Sequence, residues 1–406
     1  MKYFTLFFGF LFIVFSCGNS LKTEVRNQKL ESQKEILKDK NNKTETLLKT
    51  GADNYSLYLP LLKGKKVGVV TNQSGILNDK THLVDFLLSK SIHMKRIFAP
   101  EHGFRGTADA GELIKDGKDT KTNLPIISLY GSNKKPKPEQ LEEIDVMVFD
   151  LQDVGARFYT YISSLHYVME ACAENNIQLI VLDRPNPNGG IIDGPILEKE
   201  NTSFVGMHQI PVLHGMTIGE YAQMINGESW LKNNVKCDLK VIPCFNYDRN
   251  MEYNLPVKPS PNLPNAQSIN LYASLCFFEG TNVSVGRGTD KQFQIYGSPY
   301  LPKSGFSFTP KPNEGAKDPV YNGKVCFGED LSDIKKVNQL ELKWLLKAYN
   351  ETSDKSKFFN SFFIKLAGTK KLQEQIEAGI SEKEIRKNWE SGLNEFKSMR
   401  KKYLIY

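Results

Sequence analysis

Five short stretches of this 406-residue chain gather the side chains that move protons and hold polar ligands. Asn72-Gln73-Ser74-Gly75 supplies amides, and Pro100-Glu101-His102-Gly103-Phe104-Arg105-Gly106 a carboxylate, an imidazole and a cation. Asp150-Leu151-Gln152-Asp153-Val154-Gly155-Ala156-Arg157-Phe158-Tyr159-Thr160-Tyr161 and Asp183-Arg184-Pro185-Asn186-Pro187 repeat that mixture, and Glu279-Gly280-Thr281-Asn282-Val283-Ser284-Val285-Gly286-Arg287-Gly288-Thr289 adds it to a Gly-rich loop. Carboxylates, amides, arginines and aromatics in this proportion suit a sugar-like ligand. Glu101 stands out because Phe98, Pro100 and Phe104 surround it in sequence. A carboxyl group desolvated in that way can keep a proton near neutral pH and deliver it to a leaving oxygen. Its plainer role is to cap the amides of the next loop.

The candidates for catalysis are therefore Glu101, His102 and Asp153. The candidates for ligand contact are Asn72, Gln73, Arg105, Asp150, Arg157, Tyr159, Asp183, Arg184, Asn186, Glu279 and Arg287. Most have a structural alternative. His102 either bonds a ligand hydroxyl or serves the fold. Asp150 and Asp153 either face the ligand or organise their loop through Asx turns. Asp183 either orients Arg184 or binds a hydroxyl, and Tyr159 and Tyr161 either stack on a ring or pack in the core. Each arginine suits bidentate carboxylate recognition and equally an internal ion pair. His208 and His214 are six residues apart, off metal-ligand spacing, and are read as structural.

The elements that must position these residues alternate between short apolar runs and helical periodicity. Strands are predicted at 66–71, 94–99, 126–129, 144–149, 179–182 and 239–242, and helices at 81–90, 161–175 and 217–225. Continuously apolar strands separated by helices indicate an α/β fold with a parallel, Rossmann-like sheet covered on both faces. In such sheets ligands sit outside the carboxyl ends of the strands, which is where four of the five stretches fall. No G-x-G-x-x-G or G-x-x-x-x-G-K-[ST] occurs, so no nucleotide cofactor is expected. No C-x-x-C suggests zinc, and no G-x-S-x-G nucleophile elbow is present.

Four prolines between Pro256 and Pro264 exclude regular structure and mark a domain junction. The predicted organisation is a Rossmann-like domain at 51–255 and a smaller α+β lobe at 256–406, with the active site in the cleft between them. Helices are expected near 332–350, 358–366 and 382–402. At the start, Lys2 and an apolar run through Phe15 are too short to span a bilayer, which takes about 20 residues, and read as a signal peptide over residues 1–16. Val14-Phe15-Ser16-Cys17 resembles a bacterial lipobox, with Cys17 the lipid-bearing residue. Residues 17–50 are polar enough to be a tether. Export and anchoring to a bacterial membrane follow from this reading. The five remaining cysteines leave at least one unpaired; Cys237 and Cys244 could pair, but buried free thiols are expected. Of the net charge of +7, the leader and tether hold about +4, and no basic stripe points to nucleic acid.

Taken together and in order, the five stretches resemble the exo-lytic β-N-acetylmuramidases, a family formerly catalogued as a bacterial domain of unknown function. The resemblance covers about residues 51 to 406. It implies the two lobes described above, hydrolysis of N-acetylmuramic acid from the non-reducing ends of peptidoglycan fragments, and no metal or nucleotide. It also points to the Glu of Pro-Glu-His-Gly, Glu101, as catalytic. Muramic acid carries a lactyl carboxylate, which gives Arg105, Arg157, Arg184 or Arg287 a specific partner. The competing readings are a non-catalytic lipoprotein that binds wall fragments and an exported esterase or amidase.

Overall fold

An aliphatic run without polar alternation, such as Val67 to Val70, must be covered on both faces, and it forms the centre of a seven-stranded sheet. In the computed structural model, which describes residues 47–104, 116–303 and 305–406, the strands are β1 (Lys66–Thr71), β2 (His93–Ala99), β3 (Gly117–Lys118), β4 (Pro125–Ser128), β5 (Val146–Asp150), β6 (Gln178–Leu182) and β7 (Leu239–Ile242). Their order is β3-β4-β2-β1-β5-β6-β7. All neighbours run parallel except the edge strand β3, which is antiparallel to β4. Without β3 this is the doubly wound order of dinucleotide folds, reversing direction between β1 and β5. The signal peptide, Cys17, Arg105 and most of the predicted tether lie outside the described residues.

Alternate residues of each strand feed two cores. Val67, Val69, Ile97, Val148, Ile180 and Leu182 pack with helices α1 (Tyr55–Leu62) and α2 (Leu83–Ser89). Val70, Phe98, Met147, Phe149, Leu179 and Val181 join the other core. That side also takes α3 (Pro138–Leu141), α4 (Tyr161–Glu174) and α5 (Ile218–Gly227). Thr217 starts α5 with a capping box to Glu220.

The second core continues into the C-terminal lobe, where Phe277, Phe278, Leu345, Phe358 and Phe363 belong to the same buried cluster as Phe149 and Leu165. This lobe holds α6 (Ala266–Leu275), the antiparallel sheet β8-β10-β9 (Ile295–Ser298, Cys326–Asp330, Ser307–Phe308) and α7 (Lys343–Glu351). It ends with α8 (Phe362–Ala367), α9 (Lys371–Glu377), α10 (Glu382–Lys387) and α11 (Glu390–Arg400). Residues 48–406 form one compact unit. The architecture is thus the parallel-sheet lobe followed by a smaller lobe with an antiparallel sheet. The helix expected from 332 begins only at Lys343, because the Asn270 side chain of α6 takes both backbone groups of Val337. Cys172, Cys237, Cys244, Cys276 and Cys326 are all buried and free, so Cys237 and Cys244 do not pair. No described helix is long and apolar enough to cross a membrane.

Candidate active site

The four stretches of the sheet lobe follow the carboxyl ends of four parallel strands: Asn72 after β1, Glu101 after β2, Asp153 after β5 and Asp183 after β6. They share one edge of the sheet but not one environment. Part of that edge is a narrow cleft with a cavity volume of about 150 Å³. Of the candidates, it brings together Glu101, His102, Tyr159, Glu279 and Arg287.

Glu101 reaches the cleft through a sharp reversal after β2. His102 and Gly103 both take left-handed backbone angles, with φ of 72° and 73°, and the Gly103 amide donates to the Pro100 carbonyl at 3.1 Å. A non-glycine residue in that region costs about 1–3 kcal/mol and persists where the surroundings over-determine it. Thr160, at the start of α4, donates its hydroxyl to Glu101 Oε2 at 3.1 Å. Tyr159 and Tyr161 pack edge to face, 4.8 Å between ring centres. The Tyr159 hydroxyl donates to the Pro259 carbonyl at 2.7 Å. Burial raises both phenols above their ordinary range, so they are neutral. The proline-rich stretch read as a junction is therefore a wall of the cleft, to which it contributes Ser260 and Asn262. Gln73 supports that wall from outside by donating to the Lys258 carbonyl at 3.1 Å.

From the C-terminal lobe, Glu279 and Arg287 complete the lining of the cleft. Arg287 sits between Gly286 and Gly288, with φ of 78° and 79°. A Cβ at these positions would lie 2.5 Å from Ile295 and 2.6 Å from the Lys311 carbonyl oxygen, so the loop that presents Arg287 requires both glycines. Its Nε and Nη2 each lie 2.7 Å from Glu279 Oε1, and its guanidinium lies 5.2 Å from the Phe293 ring centre. Burial works against this charge, but the Glu279 carboxylate outweighs it and holds the guanidinium above its ordinary range.

The remaining candidates support the edge from within. At the β1–β5 switch point Arg184 forms a buried bidentate pair with Asp150, Nε to Oδ1 at 2.6 Å and Nη2 to Oδ2 at 2.9 Å. The crevice where a dinucleotide fold would take its ligand is thus filled by side chains. Asn72 accepts from Ser74 and donates to the Tyr161 hydroxyl at 2.7 Å. Asp183 accepts from Thr217, the Gly219 amide and Tyr406, yet burial pushes its carboxyl up to about 6. Asn186 binds the Met216 carbonyl. Arg157, fully buried, donates to the carbonyls of Pro195 and Ile210 in one lobe and of Leu366 and Ala367 in the other. It clamps the lobes together and does not line the cleft. Asp153, expected as a second catalytic group, is also buried outside the lining; it accepts from the Gly155 amide and lies 3.6 Å from His214. Phe98 and Phe104 are buried elsewhere, and the aromatic surroundings of Glu101 come instead from residues such as Tyr130, Phe204 and Tyr272. Thr160 was legible in the quoted motif. Phe204 and Tyr272 carry no local sequence signal, because only tertiary packing brings them to the cleft. Among the described residues no cluster of three or more His, Cys, Asp or Glu side chains is arranged to hold a metal ion.

A doubly wound sheet with its nucleotide crevice filled, roofed by a small α+β lobe and carrying a glutamate in a polar, aromatic cleft at the seam, defines a two-lobed α/β protein built for acid–base work on a polar ligand. The family models for the N-terminal and C-terminal parts of the exo-β-N-acetylmuramidase NamZ match residues 67–267 and 270–406. The chain belongs to that family. It is 40% identical over 379 residues to the peptidoglycan β-N-acetylmuramidase NamZ of Bacillus subtilis strain 168, covering 86% of this chain and 89% of that protein. Two crystal structures of DUF1343 family proteins from Bacteroides fragilis NCTC 9343 have the same fold. One is 42% identical, with a TM-score of 0.82 over 89% of this chain and 99% of its own. The other is 29% identical, with a TM-score of 0.76 over 88% and 99%.

Proposed function

We propose that the chain is an exo-acting glycoside hydrolase that releases N-acetylmuramic acid from the non-reducing ends of peptidoglycan fragments. The observation that carries this reading is that the family match runs through both lobes, on either side of the cleft that holds Glu101. In this reading Glu101 hands a proton to the glycosidic oxygen as the bond to the anomeric carbon breaks, so that the departing sugar leaves as a neutral alcohol; a water molecule supplies the hydroxyl that the anomeric carbon takes up, and its released proton restores the carboxyl group over the cycle. Thr160 steadies the carboxyl group, and the aromatic walls hold the sugar ring and limit water.

The test is product analysis of a defined disaccharide with N-acetylmuramic acid at its non-reducing end. Free N-acetylmuramic acid should accumulate, and the disaccharide with the two sugars exchanged should survive. A protein that binds the first disaccharide without cleaving it would replace this reading with that of a binding lipoprotein. The lipobox-like Val14-Phe15-Ser16-Cys17 supports export and lipid attachment at Cys17, which would hold the enzyme at a bacterial membrane. Cys17→Ser should then release the protein from the membrane fraction or leave an uncleaved precursor, and a variant that stays fully processed and membrane-bound would refute the anchor.

A further inference from the structure

We infer that Arg287, held in place by Glu279, reads the lactyl carboxylate of the muramic acid residue and so sets the substrate choice of the cleft. The inference rests on the function proposed above and assigns its specificity to one side chain.

Chemistry supplies the requirement. N-acetylmuramic acid differs from N-acetylglucosamine by a lactyl ether that ends in a carboxylate. Selecting the first over the second needs a cation that is accessible, fixed in direction and not neutralised on every edge. Among the described residues Arg287 is the arginine that lines the cleft. Arg184 uses its bidentate edge on Asp150, with 1% of its side chain exposed, and Arg157 is spent on four carbonyls. Arg287 keeps 22% of its side chain exposed.

The geometry of the Glu279 pair leaves one face of the fork for a ligand. Nε and Nη2 converge on the same oxygen, Oε1, and Nη1 takes no part. A guanidinium has two carboxylate-binding edges, one formed by Nε and Nη2 and one by the two Nη atoms. Glu279 occupies the first, and the second remains for an incoming carboxylate. Glu279 Oε2 is engaged separately, by the Cys276 thiol at 3.6 Å. Three restraints therefore aim the guanidinium before substrate arrives: the Glu279 carboxylate, the Phe293 ring and the Gly286–Gly288 loop. A cation fixed beforehand loses little rotamer freedom on binding. Glu279 is a positioning residue in this account, and Arg287 makes the substrate contact.

Two chromogenic substrates test this: the nitrophenyl glycoside of N-acetylmuramic acid, and the same compound with its lactyl carboxylate converted to the methyl ester. The full-length native enzyme should prefer the acid in kcat/KM. Arg287→Ala should shrink that acid-to-ester ratio by about 10- to 100-fold, the worth of a charge-assisted hydrogen bond, chiefly through a lower rate on the acid. Arg287→Lys keeps the charge without the fork and should lie between. Both substrates are turned over by the same folded molecules, so a loss of stability cannot mimic a change in the ratio. A native ratio near one, or an unchanged ratio in Arg287→Ala, overturns the inference. So does a ratio abolished by Arg105→Ala but not by Arg287→Ala, which would move the reader to the other loop. Native enzyme inactive on both glycosides and on the disaccharide would instead remove the proposed function itself.

Discussion

Two arginine–carboxylate pairs stand above the same protein edge, and they have opposite fates. Asp150–Arg184 fills the switch point of the sheet with side-chain exposures of 0% and 1%. Glu279–Arg287 lines the cleft with 24% and 22% exposed. The first pair saturates both carboxylate oxygens and closes the position where related sheets take a nucleotide. The second shares one oxygen between two nitrogens and leaves the other edge of the guanidinium to a ligand. Topology marks a favourable place for a site, but the packing of the loops decides which part of that place stays open. In this chain the opening has moved away from the switch point toward β2, where Glu101 lies, and the C-terminal lobe completes it.

Removing one member of each pair should separate their roles. Arg184→Ala leaves the Asp150 carboxylate buried without its partner, and such losses cost about 3–5 kcal/mol. Chemical denaturation should show that loss in full, with a marked drop in folded protein. Arg287→Ala strands its partner in a cleft that water can enter, and its cost should be nearer to about 1 kcal/mol. The comparison fails if the order is reversed, or if Arg184→Ala keeps its stability while losing only substrate preference.

The contrast also explains what could be read from the sequence. The strands of the large lobe were legible because Val67–Val70, Met147–Phe149 and Leu179–Leu182 are apolar without interruption, and the parallel order followed from helices between them. The edge strand β3 was not, since two residues paired antiparallel to β4 leave no periodic signal. The site was legible as a set of motifs but not as a division of labour. Asp183-Arg184 and Gly286-Arg287-Gly288 look equally functional in one dimension, and burial alone tells them apart. Arg157 is the sharpest case: it lies two residues from Tyr159 in the same motif, yet its four carbonyl partners are supplied by chain segments 38 to 210 residues away. The proline-rich stretch carries more than its composition announces. Its irregular backbone marks a seam between lobes, but the Pro259 carbonyl that holds the Tyr159 hydroxyl and the lining residues Ser260 and Asn262 make it part of the cleft.

The most direct test of the account is the rate at which native enzyme and Glu101→Gln release N-acetylmuramic acid from the disaccharide, followed by mass and compared with the rate on the nitrophenyl glycoside. The glutamine keeps the shape of the side chain and can still meet the Thr160 hydroxyl, so the fold should persist. It has no proton to give, and turnover of the disaccharide should fall by about 10²–10⁴-fold. The nitrophenyl leaving group needs less protonation, so its hydrolysis should fall less. Near-native release from the disaccharide by a folded Glu101→Gln variant would contradict the account and take the chemistry out of this glutamate.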